Sequence, residues 1–297
     1  MILGSRQEKV KVLYGLLRPS TCGSLLAMHR ALALLVLASP LFPQEAAPTP
    51  NHHALSLEQK EQFLSSGKIT RTRGAKKGIT GTSRVTLTDG ATIHDASVQR
   101  IDEEKARFEG AQGTEMNFRD TYKFNIAAYR LGRLLGLGDM IPPSVERLFE
   151  GTSAAYTWWV EDVMMDEGER LKQKMDAPDK DNWGRQYHIM RVFDQLIANI
   201  DRNVQNLLYD KAWRLWMIDH SRAFRVNAEP RDKKMLQRCD AQLLANLKAL
   251  REDKLRAEVG PWLREREIKA LLQRRDKIVA HFEHADPSVL YEFLSRR

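Results

Sequence analysis

The chain has 297 residues, a formal charge of +8, 42% hydrophobic and 29% charged residues. This balance excludes an intrinsically disordered protein and allows one large domain or two lobes with a substantial core. In the first 44 residues Arg6, Lys9, Lys11, Arg18 and Arg30 face one acid, Glu8, so +4 of the +8 lies there. The +4 that remains is mild and forms no dense basic stripe interleaved with aromatics, so nucleic acid is not an expected partner.

"MHRALALLVLASPLFPQEAAPTP", from Met28, combines a short basic start, a compact apolar run (residues 31–38) and small, Pro-rich residues. This pattern predicts a signal peptide and export to a periplasmic or extracellular compartment, with residues 1–27 as an over-extended start. The apolar run is far below the roughly 20 residues that span a bilayer, and no transmembrane segment is expected in the mature chain. Of the two cysteines, Cys22 and Cys239, cleavage leaves Cys239 alone, which excludes an internal disulfide. The histidines show no metal-ligand spacing.

After a Pro/Ala/His-rich linker, "SLEQKEQFLSSGK" predicts a short amphipathic helix with Ser56 as N-cap and Gly67 as stop. Alternation on both sides of Asp89-Gly90 predicts a hairpin with a two-residue turn, followed by a polar loop. In "FRDTYKFNIAAYRLGRLLGL", Phe124, Ala127, Ala128, Leu131, Leu134 and Leu135 share one helical face. "MIPPSVERLFEG" begins a strand, and "AAYTWWVEDVM" is a further β-rich segment. Ile189, Val192, Phe193, Leu196, Ile197 and Ile200 make the broad apolar stripe of a central helix. Residues 232–297 read as polar-faced helices interrupted at Gly260-Pro261 and Asp286-Pro287. The order predicts an α+β, two-lobed fold: residues 1–44 leader, 45–67 linker and short helix, 68–160 a small β-rich N-lobe, 161–297 a larger helical C-lobe.

The stretch "NIDRNVQNLLYDKAWRLWMIDHSRAF" (199–224) carries the chemistry. Asp201 follows the central helix, Asn206 comes five positions later, a hairpin turns at Asp210-Lys211, and Asp219 closes an apolar strand. Phosphoryl transfer needs such a set: one carboxylate to orient or deprotonate a hydroxyl, and a carboxylate with an amide oxygen to hold Mg²⁺. The same residue types also suit helix ends and turns, and Asp219 suits an N-cap in "DHSRAF". His94 and Asp95 in "IHDA" read as a surface polar pair.

"DRNVQN" followed by "MIDHSRAF" resembles the D-R-H-x-x-N … I-D-F-G signature of phosphatidylinositol 3/4-kinases, and is similar to the secretory-pathway casein kinases and HipA-type kinases. "NIAAYRLGRLLGLGDMIPP" is similar to the E-I-A-A-F-x-L-D-R-x-L … V-P-P helix of the secretory kinases. The resemblance spans about residues 68–225 and implies a protein-kinase-like fold that binds ATP with Mg²⁺, or Mn²⁺ as an alternative. By it, Asp201 is the catalytic carboxylate, Arg202 supports its loop, and Asn206 and Asp219 hold the metal. Gly78, Thr80, Gly81, Thr82 and Ser83 form the turn over the phosphates. "TWWVEDV", with Trp159 and Glu161, is the hinge beside the adenine, Trp158 and Trp159 being wall or core. The γ-phosphate would pass to a hydroxyl of a protein, lipid or small-molecule acceptor.

Two departures bear on activity. The strand lysine that binds the phosphates is Gln99 here, and its partner glutamate on the next helix is Asn125. Lys76, Lys77, Arg84 and Lys105 are the cations available as substitutes. With both charges gone, the rival expectation is a pseudokinase that keeps the fold as a scaffold. Ser221 also replaces the glycine of the metal motif, so the loop after Asp219 must bend by other means.

Overall fold

Residues 55–74, 82–110 and 113–294 are described by a computed structural model of the chain; the leader at Met28, and Lys76, Lys77, Gly78, Thr80 and Gly81, lie outside them. Helix α1 (Leu57–Ser66) is set by its ends. The Gln59 N–H donates to Ser56 Oγ at 3.2 Å and the Ser56 N–H donates to Gln59 Oε1 at 2.8 Å, a reciprocal capping box. Gly67 stops the helix where a Cβ would meet the Phe63 carbonyl oxygen at 2.8 Å.

Phe63 and Leu64 of α1 bury against a five-stranded antiparallel sheet. Its order is β1 (Lys68–Gly74), β2 (Ser83–Thr88), β3 (Ile93–Gln99), β7 (Thr152–Trp158), β6 (Ser144–Phe149). Val85 and Leu87, Ala96 and Val98, and Ala154, Tyr156 and Trp158 alternate inward and join the two helix residues in one apolar cluster. Each large side chain so covered is worth about 1.5–3 kcal/mol. The β2–β3 loop has four residues (89–92), not two. Asp89 Oδ1 accepts from the Ala91 and Thr92 N–H groups at 2.9 and 2.7 Å, and this side-chain turn adds the two residues.

Residues 102–121, expected as a polar loop into a helix, form a two-stranded ribbon, β4 (Asp102–Gly110) and β5 (Gly113–Thr121). Helix α2 (Lys123–Leu134) follows and is buried on nearly all sides. Its Ile126 packs with Tyr122 and Ala155 of the sheet, while Phe124, Ala127, Ala128 and Leu131 enter the large core of the helical lobe. One helix therefore ties both lobes.

The helical lobe holds α3 (Glu167–Gln173), α4 (Lys180–Ile197), α5 (Ala241–Ala249), α6 (Glu252–Val259) and α7 (Glu265–Glu283). A small sheet of β8 (Val163–Asp166), β9 (Leu207–Asp210) and β10 (Leu215–Met217) packs with them, in the order β10–β9–β8. The stripe Ile189, Val192, Phe193, Leu196, Ile197 of α4 lies in the core. Arg274 of α7 is fully buried and donates to the carbonyls of Leu196 (2.7 Å), Arg225 (2.7 Å) and Asn227. It thereby fixes the end of α4 against the segment after Asp219. The fold is α+β, a β-rich lobe followed by a helical one, as expected. Among the described residues no helix is long and apolar enough to cross a membrane.

Candidate active site

Helix α4 stops because Ala198 takes a left-handed backbone (φ 47°), and the Asn199 N–H turns back to the Asp194 carbonyl at 3.0 Å. Asp201 follows at the cleft. Arg202 turns the other way. Its Nε and Nη2 donate to the two oxygens of buried Asp194 at 2.9 and 3.0 Å, and its Nη1 donates to the carbonyls of Asn206 (3.1 Å) and Ile218 (2.7 Å). One guanidinium thus bolts the loop to α4 and gathers both arms of the β9–β10 hairpin. A bidentate pair of this kind fixes orientation as well as charge.

Asn203 caps a 3₁₀ turn, accepting from the Gln205 N–H at 3.0 Å. Asn206, buried, donates through Nδ2 to the Asp201 carbonyl at 3.2 Å, and the Ile218 N–H donates to the Asn206 carbonyl at 3.0 Å. The hairpin closes at Asp210, whose Oδ1 accepts from the Ala212 and Arg214 N–H groups, each at 2.9 Å. Asp201, Asn206 and Asp219 are thereby drawn to one place. No helix follows Asp219. Asp219 itself is left-handed, with φ 51°, a conformation that Asp tolerates better than most residues. The bend is therefore made at Asp219 and does not require glycine at position 221.

Gln99 and Asn125 meet in this bend. Asn125 Nδ2 donates to Gln99 Oε1, Asn125 Oδ1 accepts from the His220 N–H at 2.6 Å, and Gln99 Nε2 lies 3.5 Å from Asp219 Oδ1. Two neutral amides link β3, α2 and the loop of Asp219 without any charge.

Asp120, at the end of β5, was not singled out in the sequence and sits in the same charge field. Its Oδ1 finds no hydrogen-bond partner among the described residues. Burial raises its pKa, as do the negative charges of Asp219 and Asp201, against the pull of Ser221 and Arg222. Asp201 is exposed as a residue, yet crowding of its carboxyl and the charge of Asp219 raise its pKa too, against Arg222. The cleft around Asp120, Asp201 and Asp219 thus concentrates negative charge, which suits a cation. Among the described residues no three of His, Cys, Asp and Glu cluster closely enough to hold a metal. Mg²⁺ is commonly held by one or two carboxylates plus substrate phosphates, without a protein cage, so Asp219 and Asn206 fit that chemistry.

The cations considered in place of the strand lysine are engaged elsewhere where they are described. Arg84 donates to Asp95 at 2.6 Å and stacks 4.0 Å over Trp159; Lys105 pairs with Glu103 at 2.9 Å. Arg222 acts on both Asp201 and Asp120. Thr82 and Ser83 lead into β2, half-buried.

In the stretch expected as the hinge, Trp158 is core and Trp159 is 37% exposed. His94 and Asp95 are not a surface pair. His94 is buried, stacks on Trp158 at 3.7 Å, and sets its Nε2 3.0 Å from the Trp159 carbonyl and its Nδ1 3.0 Å from Glu161 Oε1. Asp95 accepts from Arg73 at 2.9 Å and from Thr86 at 2.5 Å, besides Arg84. These bonds belong to long-range strand pairing, which adjacent residues in sequence do not reveal.

No protein-family model matches the chain, and no curated protein sequence does. Solved structures do. A hydra Fam20 determined with sugar is 18% identical, covering 80% of this chain and 92% of its own, with a TM-score of 0.59. A Golgi casein kinase with Mn/ADP bound is 13% identical over 78% of this chain and 76% of its own, TM-score 0.51. A further structure of the Golgi casein kinase is 14% identical over 79% and 77%, TM-score 0.52. At these identities the likeness is one of fold: the chain has an atypical kinase-like fold.

Proposed function

We propose that the protein is an exported phosphotransferase that binds Mg-ATP and passes the γ-phosphate to a hydroxyl-bearing acceptor. The observation that carries this is the convergence of Asp201, Asn206 and Asp219 through the Arg202 clamp and the β9–β10 hairpin. Asn206 and Asp219 hold the divalent cation, Mg²⁺ or Mn²⁺, which when bound offsets the charge of the phosphates. Asp201 orients the acceptor hydroxyl and takes its proton at the carboxylate; its raised pKa makes it a better base than an ordinary aspartate. Trp159 and Glu161 flank the base of the nucleotide, and Thr82 and Ser83, at the entry to β2, lie on the side of its phosphates. The Mn/ADP bound to the Golgi casein kinase supports nucleotide and metal use on this fold. The apolar run after Met28 supports export. The loop motif shared with phosphatidylinositol and HipA-type kinases supports the catalytic assignment.

Purified protein is expected to bind ADP or ATP only with Mg²⁺ or Mn²⁺, and Asp219→Ala to abolish that binding. Absence of binding for every nucleotide in calorimetry sinks the proposal. The Gln99–Asn125 amide pair favours a second reading, a scaffold that keeps the fold without turnover. A phosphotransfer assay over protein, lipid and small-molecule hydroxyls, compared with Asp201→Asn, separates them: turnover by the unmodified protein alone ends the scaffold reading.

A further inference from the structure

A cavity of about 610 Å³ opens beside Asp201, between the β4–β5 ribbon, residues 222–227 and the first turn of α7. Five arginines line it, Arg119, Arg222, Arg225, Arg231 and Arg266, against three carboxylates, Glu115, Asp201 and Glu267. Arg119 is matched by buried Glu267, Arg231 donates to the Ile200 carbonyl at 3.1 Å, and Arg266 reaches Glu104 at 3.5 Å. Arg222 and Arg225 converge instead on one carboxylate, Glu115, each at 2.5 Å.

That match is incomplete. Arg222 Nε and Arg225 Nε and Nη2 are buried without a hydrogen-bond partner among the described residues, and the Arg225 contact to Glu115 is close but misaligned. Each guanidinium carries five N–H donors, whereas a carboxylate offers two oxygens and one charge. A phosphate monoester offers three acceptor oxygens and a charge of about −1.5 to −2. It suits paired, fork-shaped donors far better.

We propose that Arg222 and Arg225 form an anion subsite of the acceptor cavity for a phosphate monoester group, and that Glu115 occupies it when no ligand is present. The acceptor is then a molecule that already bears a phosphate and presents a second, free hydroxyl to Asp201. The acceptor assignment rests on the phosphotransfer reading above; the anion subsite does not, because it requires neither nucleotide nor turnover.

The test titrates inorganic phosphate, with acetate as comparison, into the full chain under saturating ADP and Mg²⁺ and again without them. E115Q removes the competing charge and keeps the shape. It is expected to bind phosphate about tenfold more tightly than the unmodified protein and to gain more thermal stability from phosphate. R225Q is expected to lose phosphate binding by at least about tenfold, and ADP affinity is expected to stay the same in both variants. Equal phosphate affinity in E115Q and the unmodified protein, phosphate binding that survives R225Q, or acetate bound as tightly as phosphate overturns the proposal. Failure to bind ADP, with the phosphate pattern intact, counts against the nucleotide reading and leaves the subsite standing.

Discussion

Restoring the missing charges one at a time should have unequal consequences, because the surroundings of the amide pair are electrically lopsided. Gln99 and Asn125 are each 7% exposed, and Gln99 Nε2 faces the carboxylate of Asp219, whose charge also acts on Asp120. Gln99→Lys places a cation where Gln99 Nε2 now lies 3.5 Å from Asp219. At an effective dielectric of about 20 that attraction is about 4 kcal/mol. It is opposed by the lysine's desolvation and by an unpaired Asn125 amide, about 1–3 kcal/mol. The net is within about 1 kcal/mol of zero. Asn125→Glu loses the same hydrogen bond and adds a buried, unpaired carboxylate in the bend that already holds Asp219, which costs about 3–5 kcal/mol. For a domain of this size that is a fall in melting temperature of roughly 10 °C. Combining the two substitutions should recover about 2 kcal/mol of coupling. Urea and thermal unfolding of the four proteins measure all of this. Asn125→Glu melting with the unmodified chain, or Gln99→Lys falling as far as Asn125→Glu, refutes the charge reasoning.

Asp120 provides a pH signature. Its folded-state pKa is raised, so the native chain keeps a proton that the unfolded chain has released. Stability therefore falls as pH rises from the usual carboxylate range through the folded value, and stays lower above it. Asp120→Asn should flatten that loss in melting curves taken upward in pH from the usual carboxylate range; a variant with the unmodified protein's slope contradicts it. Arg202→Ala leaves Asp194 buried without its cation and should cost about 3–5 kcal/mol, seen as a lower urea midpoint at unchanged slope. Arg274, whose pKa burial pulls down to about 10, satisfies three carbonyls. Arg274→Met should destabilise by about 2–4 kcal/mol, an unpaired carbonyl costing about 1–3 kcal/mol and removal of a buried charge offsetting part of it; unchanged unfolding would show that water replaces the guanidinium. Asp201→Asn should keep ADP binding and lose phosphotransfer, which calorimetry and a radiolabel assay read separately.

Features fixed by neighbours in sequence were legible, and features fixed by distant partners were not. Ser56, Gln59 and Gly67 bound α1 because capping depends on residue type at fixed spacing. The stripe on α4 marked a buried helix for the same reason. The β4–β5 ribbon gave no such signal. Along Asp102–Gly110 almost every residue is exposed, so charged side chains such as Glu103, Glu104, Lys105 and Arg107 stand on both faces and no apolar alternation appears. Cross-strand pairing holds the ribbon, with ion pairs that reach across the chain: Arg264 to Glu104, Arg119 to Glu267, and Arg222 and Arg225 to Glu115.

The same distinction divides the site. Asp201, Asn206 and Asp219 could be picked out by spacing because one loop and one hairpin assemble them, and Gln99 with Asn125 because two charges were replaced together. Glu115 and Asp120 arrive on the ribbon and could not. Both carboxylates bear on Arg222, Glu115 by an ion pair and Asp120 through its field. Arg222 also acts on Asp201, so it faces negative charge on both flanks of the proposed catalytic residue. Any ligand that draws Glu115 away from Arg222 therefore changes the cation felt by Asp201 and Asp120. Anion binding in the arginine-lined cavity is thereby linked to the charge on Asp201 and Asp120 through that one side chain.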